Sequence, residues 1–296
     1  MICPYCGGGN TRKRGIRNDV QRYSCYTCEK WWSAPPYEKR RQRVLLFDIE
    51  TAPMEVFVWH LGKQRIHHHN IIKGWNTLGW SAKWLCEKGV VSDILTPDEA
   101  IRRDDERIIK SVWKLLDEAD VVIAHNAIGF DVRRLNTRFL YYDMPPPMPF
   151  QVIDTLQAAR KHFAFASNKL DYLATLLENR GKLETNFDLW KGCLKGDEQS
   201  LKYMEKYNRM DVLLLEEVYL HLRPYIKSHP NMGIYSEADV EVCPSCSSEN
   251  IDWKGYYVTP AGKYRSFRCE CGAIGRSRFT ALGKEERKKL TVSVAR

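Results

Sequence analysis

Eight of the ten cysteines in this 296-residue chain fall in two tight groups, Cys3/Cys6/Cys25/Cys28 and Cys243/Cys246/Cys269/Cys271. No other feature limits the fold so strongly. The first group is spaced Cys-x2-Cys-x18-Cys-x2-Cys, which suits a tetrahedral Zn2+ held by two tight turns on adjoining hairpins. The competing explanation, free thiols in a small core, is the weaker one. A piece of about 40 residues buries too little apolar surface to need four of them there. The second group opens with the same Cys-Pro-x-Cys but closes on Cys269-Glu270-Cys271, with one spacer residue instead of two. The groups align as an internal repeat, with Asn10 and Asn250, Gly15 and Gly255, and Tyr23 and Phe267 in equivalent places. Extra residues around Val258–Gly262 give the second copy a longer hairpin tip. Cys86 and Cys193 stand alone and read as ordinary thiols.

These groups set a domain map. It runs as an N-terminal zinc ribbon (1–34), a basic linker (35–43), an α/β domain (44–228), a second ribbon (241–283) and a basic tail (284–296). Charge follows the same map. The chain carries +9 overall. Residues 1–43 hold ten Lys/Arg against three Asp/Glu, residues 241–296 hold eleven against six, and residues 44–240 hold 25 against 28. Basic ends suit a polyanion, while an acidic middle suits carboxylates gathered for a cation. Two solvated basic tails would give the same balance. No run of 18 apolar residues exists, so no membrane span is expected. Met1-Ile2-Cys3-Pro4 opens directly into a cysteine motif without the features of a signal peptide. The expected setting is a reducing cytoplasm, where clustered cysteines are metal ligands more often than disulfides.

The middle alternates strand and helix patterns. Val44–Glu50 reads as a buried strand, with Glu55–Trp59 and Leu78–Leu85 as further strands. Asp104–Ala119 has helical period through Ile108, Ile109, Val112, Leu115 and Leu116. Val121–Ala124 is a short apolar strand, Asp131–Tyr142 a helix stopped by Pro145-Pro146-Pro147, and Val152–Ile153 a strand. Asn168–Leu177 and Leu201–Leu222 are helices. Such alternation predicts a mixed sheet covered on both faces.

Three acidic motifs sit in that frame. In Val44-Leu45-Leu46-Phe47-Asp48-Ile49-Glu50-Thr51, alternation puts Asp48 and Glu50 on one face. Two acids in an apolar strand are costly unless a cation balances them. His125-Asn126-Ala127-Ile128-Gly129-Phe130-Asp131 follows a strand and opens a helix, where Asp131 could simply favour the helix N-terminus. In Tyr207-Asn208-Arg209-Met210-Asp211, Tyr207 and Asp211 share a helix face with Leu201, Met204, Leu214, Leu215 and Val218. An acid among leucines reads as a ligand. Asp154, at the end of a strand, is a helix cap or a support for the site. Leu61–His69, with three consecutive histidines, reads as a loop and not a metal site.

Together the three motifs resemble the DEDD 3′–5′ exonuclease superfamily. Tyr207 places the resemblance in its tyrosine branch, with the proofreading domains of family-B DNA polymerases and the stand-alone exonucleases of bacteriophages. The likeness covers residues 44–226, through LLFDIET, VVIAHNAIGFDVRRLNTRF, IDTLQAARKHF, SNKLDYLATLL and YNRMDVLLLEEVY. His125-Asn126-Ala127 departs from the Asn-Gly that many relatives have before Phe-Asp. The resemblance implies a ribonuclease H-like mixed five-stranded sheet with flanking helices. It implies two Mg2+ or Mn2+ ions, with Asp48, Glu50 and Asp211 on the first, Asp48 bridging, and Asp131 on the second through water. Tyr207 would orient the attacking water, since a tyrosine hydroxyl with a reference pKa near ~10 is a poor general base. Asn126 and Phe130 would meet the nucleic acid. The first ribbon resembles those of insertion-element transposases. Its Arg12, Lys13, Arg14, Arg17 and Arg22, beside Tyr23, Tyr26, Trp31 and Trp32, suit phosphate contacts with base stacking, unless the tryptophans only cover the ribbon core.

The expectation is therefore a metal-dependent 3′–5′ exonuclease acting on nucleic acid, DNA by the resemblance, with two structural Zn2+. If phage-encoded, it would work in the host cytoplasm. A structure-selective endonuclease on the same core is one alternative, and a zinc-ribbon DNA-binding protein with a non-catalytic core is another.

Overall fold

The computed structural model describes residues 2–17, 20–33, 42–178, 183–236 and 238–291. The chain divides into two compact units, Met1–Arg40 and Arg41–Arg296. The last residue of the expected first ribbon, 34, most of the basic linker, residues 35–41, and the end of the basic tail, residues 292–296, lie outside the described residues.

The first unit is an antiparallel three-stranded ribbon of β1 (Thr11–Arg17), β2 (Val20–Cys25) and β3 (Trp31–Ser33), in that order. Its core is small: Cys3, Tyr23, Cys25 and Trp32. The adjacent tryptophans go opposite ways because strand side chains alternate. Trp32 is buried and stacks on Tyr23, with ring centroids 5.7 Å apart. Trp31 is exposed, with the guanidinium carbons of Arg14 and Arg22 5.0 and 5.1 Å from its ring centre. Only one tryptophan therefore covers the core. The other sits in a basic, solvent-facing surface that also includes the exposed Arg12, Lys13 and Arg17.

The second unit opens with β4 (Val44–Thr51), then a small hairpin of β5 (Glu55–Val56) and β6 (Ile71–Lys73), then β7 (Thr77–Trp84) and β8 (Val91–Ile94). Next come α1 (Pro97–Arg102), α2 (Glu106–Glu118), β9 (Val121–Ala124), α3 (Asp131–Tyr141), β10 (Gln151–Asp154) and α4 (Thr155–His162). Then follow α5 (Leu170–Glu178), α6 (Phe187–Leu194) and the long α7 (Glu198–Leu222). A five-stranded mixed sheet runs β10-β9-β4-β7-β8. β4 is parallel to β9, which is parallel to β10; β4 is antiparallel to β7, and β7 to β8. This is the ribonuclease H-like arrangement.

β4 is apolar on both faces because both are covered. Leu45, Phe47 and Ile49 pack with Ile108, Ile109 and Val112 of α2 and Leu135 and Phe139 of α3. Val44 and Leu46 pack with α5 and the second half of α7, through Leu173, Leu215 and Tyr219. Asp48 and Glu50 continue this second face.

A second ribbon closes the unit, with β11 (Ile251–Thr259), β12 (Gly262–Cys269) and β13 (Ile274–Arg276) antiparallel in that order, followed by α8 (Lys284–Lys288). Its core is Cys243, Phe267, Cys269 and Ala273. The ribbon touches the segment after α7: Met232 N–H donates to Pro244 O at 2.7 Å. No helix among the described residues is long and apolar enough to cross a membrane.

One strand expectation and two helix starts need correction. Glu55–Trp59 is strand only over Glu55–Val56 and does not join the main sheet. It meets only the short β6, and Phe57 and Trp59 are left exposed. The fifth strand is instead Val91–Ile94, whose sequence Val-Ser-Asp-Ile suits a half-exposed edge. The helix expected from Asn168 begins at Leu170, and the one expected from Leu201 begins at Glu198. At the latter, Asp197 accepts the Ser200 N–H at 2.8 Å as N-cap.

Candidate active site

The site opens where β4 outruns its parallel neighbour. β4 pairs with β9 only as far as Leu46 opposite Ile123, while its pairing with β7 continues through Asp48, Ile49 and Glu50. Beyond Ala124 the chain turns away, which leaves a cleft of about 1170 Å3 at the end of β4. This follows the general rule that open α/β sheets bind ligands where neighbouring strands part.

α7 lies over the same face. It brings Asp211 to Asp48 and Glu50, and one oxygen of each carboxylate lies within 4.8 Å of the others. Tyr207, one helical turn before Asp211, is buried and also lines the cleft. Two charges this close repel by roughly 3 kcal/mol at an effective dielectric constant near 20. Around the cleft the acids Asp48, Glu50, Asp171, Glu184 and Asp211 outnumber the cations Arg160 and Lys169. A converging all-oxygen donor set with excess negative charge fits a hard divalent cation such as Mg2+ or Mn2+.

Asp131 is placed differently. It is 1% exposed, does not line the cleft, and is not among the three grouped carboxylates. Its Oδ1 accepts the Ile49 N–H at 3.3 Å. That N–H lies beyond the last β4–β9 pair, so Asp131 takes the place of the missing strand and holds the backbone between Asp48 and Glu50. Burial pushes its carboxyl up to about 7, the N–H donors oppose the rise, and the charge of Asp154 adds to it. An acid raised in this way holds its proton more tightly folded than unfolded. Its contribution to stability is therefore full below 3.8 and is lost as pH climbs toward 7. Asp131→Asn keeps the acceptor and removes the charge. Without added divalent metal it is expected to raise stability at pH 8 by about 2 kcal/mol, or roughly 5 °C in Tm. The advantage should shrink toward pH 5. Thermal unfolding across that range checks it, and a lower Tm at pH 8 would refute the buried-charge account.

The loop carrying Asn126 and Phe130 is pinned from below by Asp154. Asp154 Oδ1 accepts the N–H groups of Leu156 and Gln157 at 3.0 and 3.2 Å as the N-cap of α4, and also that of Asn126 at 3.1 Å. Its Oδ2 accepts the Ile128 N–H at 3.3 Å. Cap and support are thus one residue. Asn126 is left-handed, with φ 74°, and its side chain lies over Gly129, where a Cβ would sit 2.4 Å from Asn126 Oδ1. A side chain at 129 would push the Asn126 amide out of this position. His125 bridges Thr155 Oγ1 and Asn168 O, each at 2.9 Å. Asn126 and Phe130 both face the cleft.

Asn208 belongs to the site and escaped the sequence reading. It is 2% exposed, and its Nδ2 donates to Asp48 Oδ2 at 2.6 Å. It thereby orients that carboxylate. A clue existed in principle, because Met204 and Val212, one turn to either side, are buried apolar residues. An amide in that row needs a partner.

The cysteines converge as expected. Sγ–Sγ distances are 3.6 Å for Cys3–Cys28 and for Cys6–Cys25. In the second ribbon they are 3.8 Å for Cys243–Cys271 and 3.6 Å for Cys246–Cys269. A tetrahedron with Zn–S near ~2.3 Å has edges of about 3.8 Å, so the single-residue spacer in Cys269-Glu270-Cys271 does not spoil the second set. These donors fit Zn2+. His67, His68 and His69 also bring their nitrogens within 4.8 Å of one another, on an exposed turn.

No curated protein matches by sequence. Among solved structures, the family B DNA polymerase from the hyperthermophilic archaeon Pyrobaculum calidifontis aligns at 16% identity and a TM-score of 0.47. The alignment covers 66% of this chain and 26% of the polymerase, so the chain spans about a quarter of that protein's length. A family model described as RNase_H superfamily matches residues 89–223. That segment runs from just before β8 to just past α7 and includes Asp131, Tyr207 and Asp211, while Asp48 and Glu50 fall before it. The matched segment and the strand order of the sheet identify a ribonuclease H-like domain.

Proposed function

We propose that this protein is a metal-dependent exonuclease that removes nucleotides from the 3′ end of nucleic acid, DNA in the first instance. The family match supports a nuclease in general. The observation that carries the finer reading is the meeting of Asp48, Glu50 and Asp211 in one group beside Tyr207, in a cleft. Asp48, Glu50 and Asp211 would hold the divalent metal, and Asp131 would support them from behind by fixing the backbone between Asp48 and Glu50. Bound Mg2+ or Mn2+ supplies charge to polarise the phosphodiester and to stabilise the departing 3′ oxygen. Asn208 keeps Asp48 turned toward its task, Tyr207 aligns the attacking water, and Phe130 stacks on a base at the cleft mouth. The basic ribbons hold the polyanion that the acidic centre holds poorly.

An end-labelled oligonucleotide with Mg2+ or Mn2+ tests this. Stepwise release of mononucleotides from the 3′ end is the expected result. Internal cuts would mean an endonuclease, and binding without cleavage would mean a non-catalytic core. Within the same assay, Tyr207→Phe should slow single-turnover cleavage by about 10²-fold with metal affinity nearly unchanged, because only the aligning hydroxyl is lost. A normal rate with weakened metal binding would remove Tyr207 from this role.

A further inference from the structure

The hairpin between β4 and β7 is the least economical part of the second unit. Phe57, Trp59 and Leu61 are 70%, 97% and 93% exposed. Single exposed apolar residues are ordinary, but three at one tip mark a surface that meets something.

The stem is rigid where it leaves the site. The Arg103 side chain is 9% exposed and left-handed in backbone, with φ 57°. Its Nη1 donates to Pro53 O at 2.9 Å and Gly74 O at 2.7 Å, and its Nη2 to Glu55 Oε1 at 2.6 Å. One guanidinium thus ties both legs together. Ala52 N–H donates to Asn76 O at 2.8 Å and closes the base directly after the strand that bears Asp48 and Glu50. At the returning leg, the Arg134 guanidinium lies 4.2 Å from the Trp75 ring centre and 5.3 Å from that of Phe130. Phe130 lines the cleft, so the hairpin rises from the cleft rim on the Phe130 side.

The chemistry of the tip selects its partner. From Glu55 to Lys73 the cations are Lys63, Arg65 and Lys73, with His60, His67, His68 and His69, and Glu55 is the one acid. Glu55 is already engaged by Arg103 and Lys73. A surface of exposed aromatics among cations, with no free acid, suits stacked bases and their phosphates better than a protein face.

Resting on the nucleic-acid substrate proposed above, we infer that the Glu55–Lys73 hairpin is a second contact for single-stranded nucleic acid. Bases stack on Trp59 and Phe57, phosphates meet Lys63 and Arg65, and the strand runs from there past Phe130 to the carboxylates. A substrate long enough to reach the hairpin is held at both places, and a trinucleotide is held only in the cleft.

The test uses the full chain. Anisotropy titrations with a fluorescein-labelled single-stranded oligodeoxynucleotide are run without added divalent metal, so that cleavage plays no part. Phe57→Ala/Trp59→Ala is expected to weaken binding of the long oligonucleotide about tenfold, with an unchanged salt slope and unchanged cleavage of a trinucleotide. Lys63→Ala/Arg65→Ala should instead reduce the slope of log affinity against log salt by about 1.4. Equal long-oligonucleotide affinity in the aromatic variant would overturn the inference. So would a wild-type dimer that becomes monomeric in that variant while affinity holds, since the tip would then be a self-contact. A chain that binds as expected yet never cleaves would sink the exonuclease reading and leave this inference standing.

Discussion

Asp48→Ala and Asp211→Ala are each expected to lower cleavage by at least about 10³-fold while the protein stays folded. The loss follows from the role of the trio: a divalent ion contributes several kcal/mol to the transition state of phosphodiester hydrolysis, and every 1.36 kcal/mol is tenfold in rate. Retention of fold follows from the geometry. Asp48 and Glu50 are half-buried at the end of β4, past the tightly packed Leu45, Leu46 and Phe47. Removing one of three crowded carboxylates also relieves repulsion within a group only 4.8 Å across. This relief opposes the cost of leaving the buried Asn208 amide without its acceptor in Asp48→Ala, so both metal-free variants should stay folded, with Asp211→Ala melting no lower than Asp48→Ala. With saturating Mn2+ the parent should gain stability by mass action, and the variants should not. Rates near the parent's in a folded, purified variant would remove the mechanism, whereas an unfolded Asp48→Ala chain would leave the Asp211→Ala result to decide.

The second large effect concerns the ribbons. Purified protein should carry close to two zinc ions per chain, and Cys25→Ser should reduce this to one and unfold the first unit. That unit has a described core of four side chains, two of them cysteines. Such a core cannot offset the entropy of ordering the chain by itself. Structural Zn2+ contributes on the order of 10–16 kcal/mol in comparable small modules, so the metal decides whether the ribbon exists. Elemental analysis and thiol titration give the counts. Trp31 and Trp32 fluorescence, compared with a Trp31→Phe/Trp32→Phe control, follows the unfolding. Absence of zinc together with freely titrating cysteines in the native protein would refute the assignment. The second ribbon should survive in Cys25→Ser, because its four thiols are a separate set.

Local pattern alone was enough for much of this. Cysteine spacing announces the ribbons, because thiols four to a group have few other uses in a short segment. The period-two run around Asp48 and Glu50 and the four-residue spacing of Tyr207 and Asp211 name the faces that carry the acids, since side-chain direction in strands and helices is a local property. Whether those faces meet is not local. Asp48 and Asn208 are 160 positions apart and touch at 2.6 Å; only the packing of α7 across β4 makes that contact. The same holds for Asp131, which reads as an ordinary helix-opening acid yet lies inside, serving an N–H that β9 is too short to pair. Asp105, which no local pattern singles out, is fully buried, accepting the Thr77 N–H at 2.7 Å and pairing with Arg138. Strand membership was also decided late. Val-Phe-Val-Trp has the better strand composition, yet Val91–Ile94 completes the sheet, because a strand is defined by the edge it can reach and not by its own propensity.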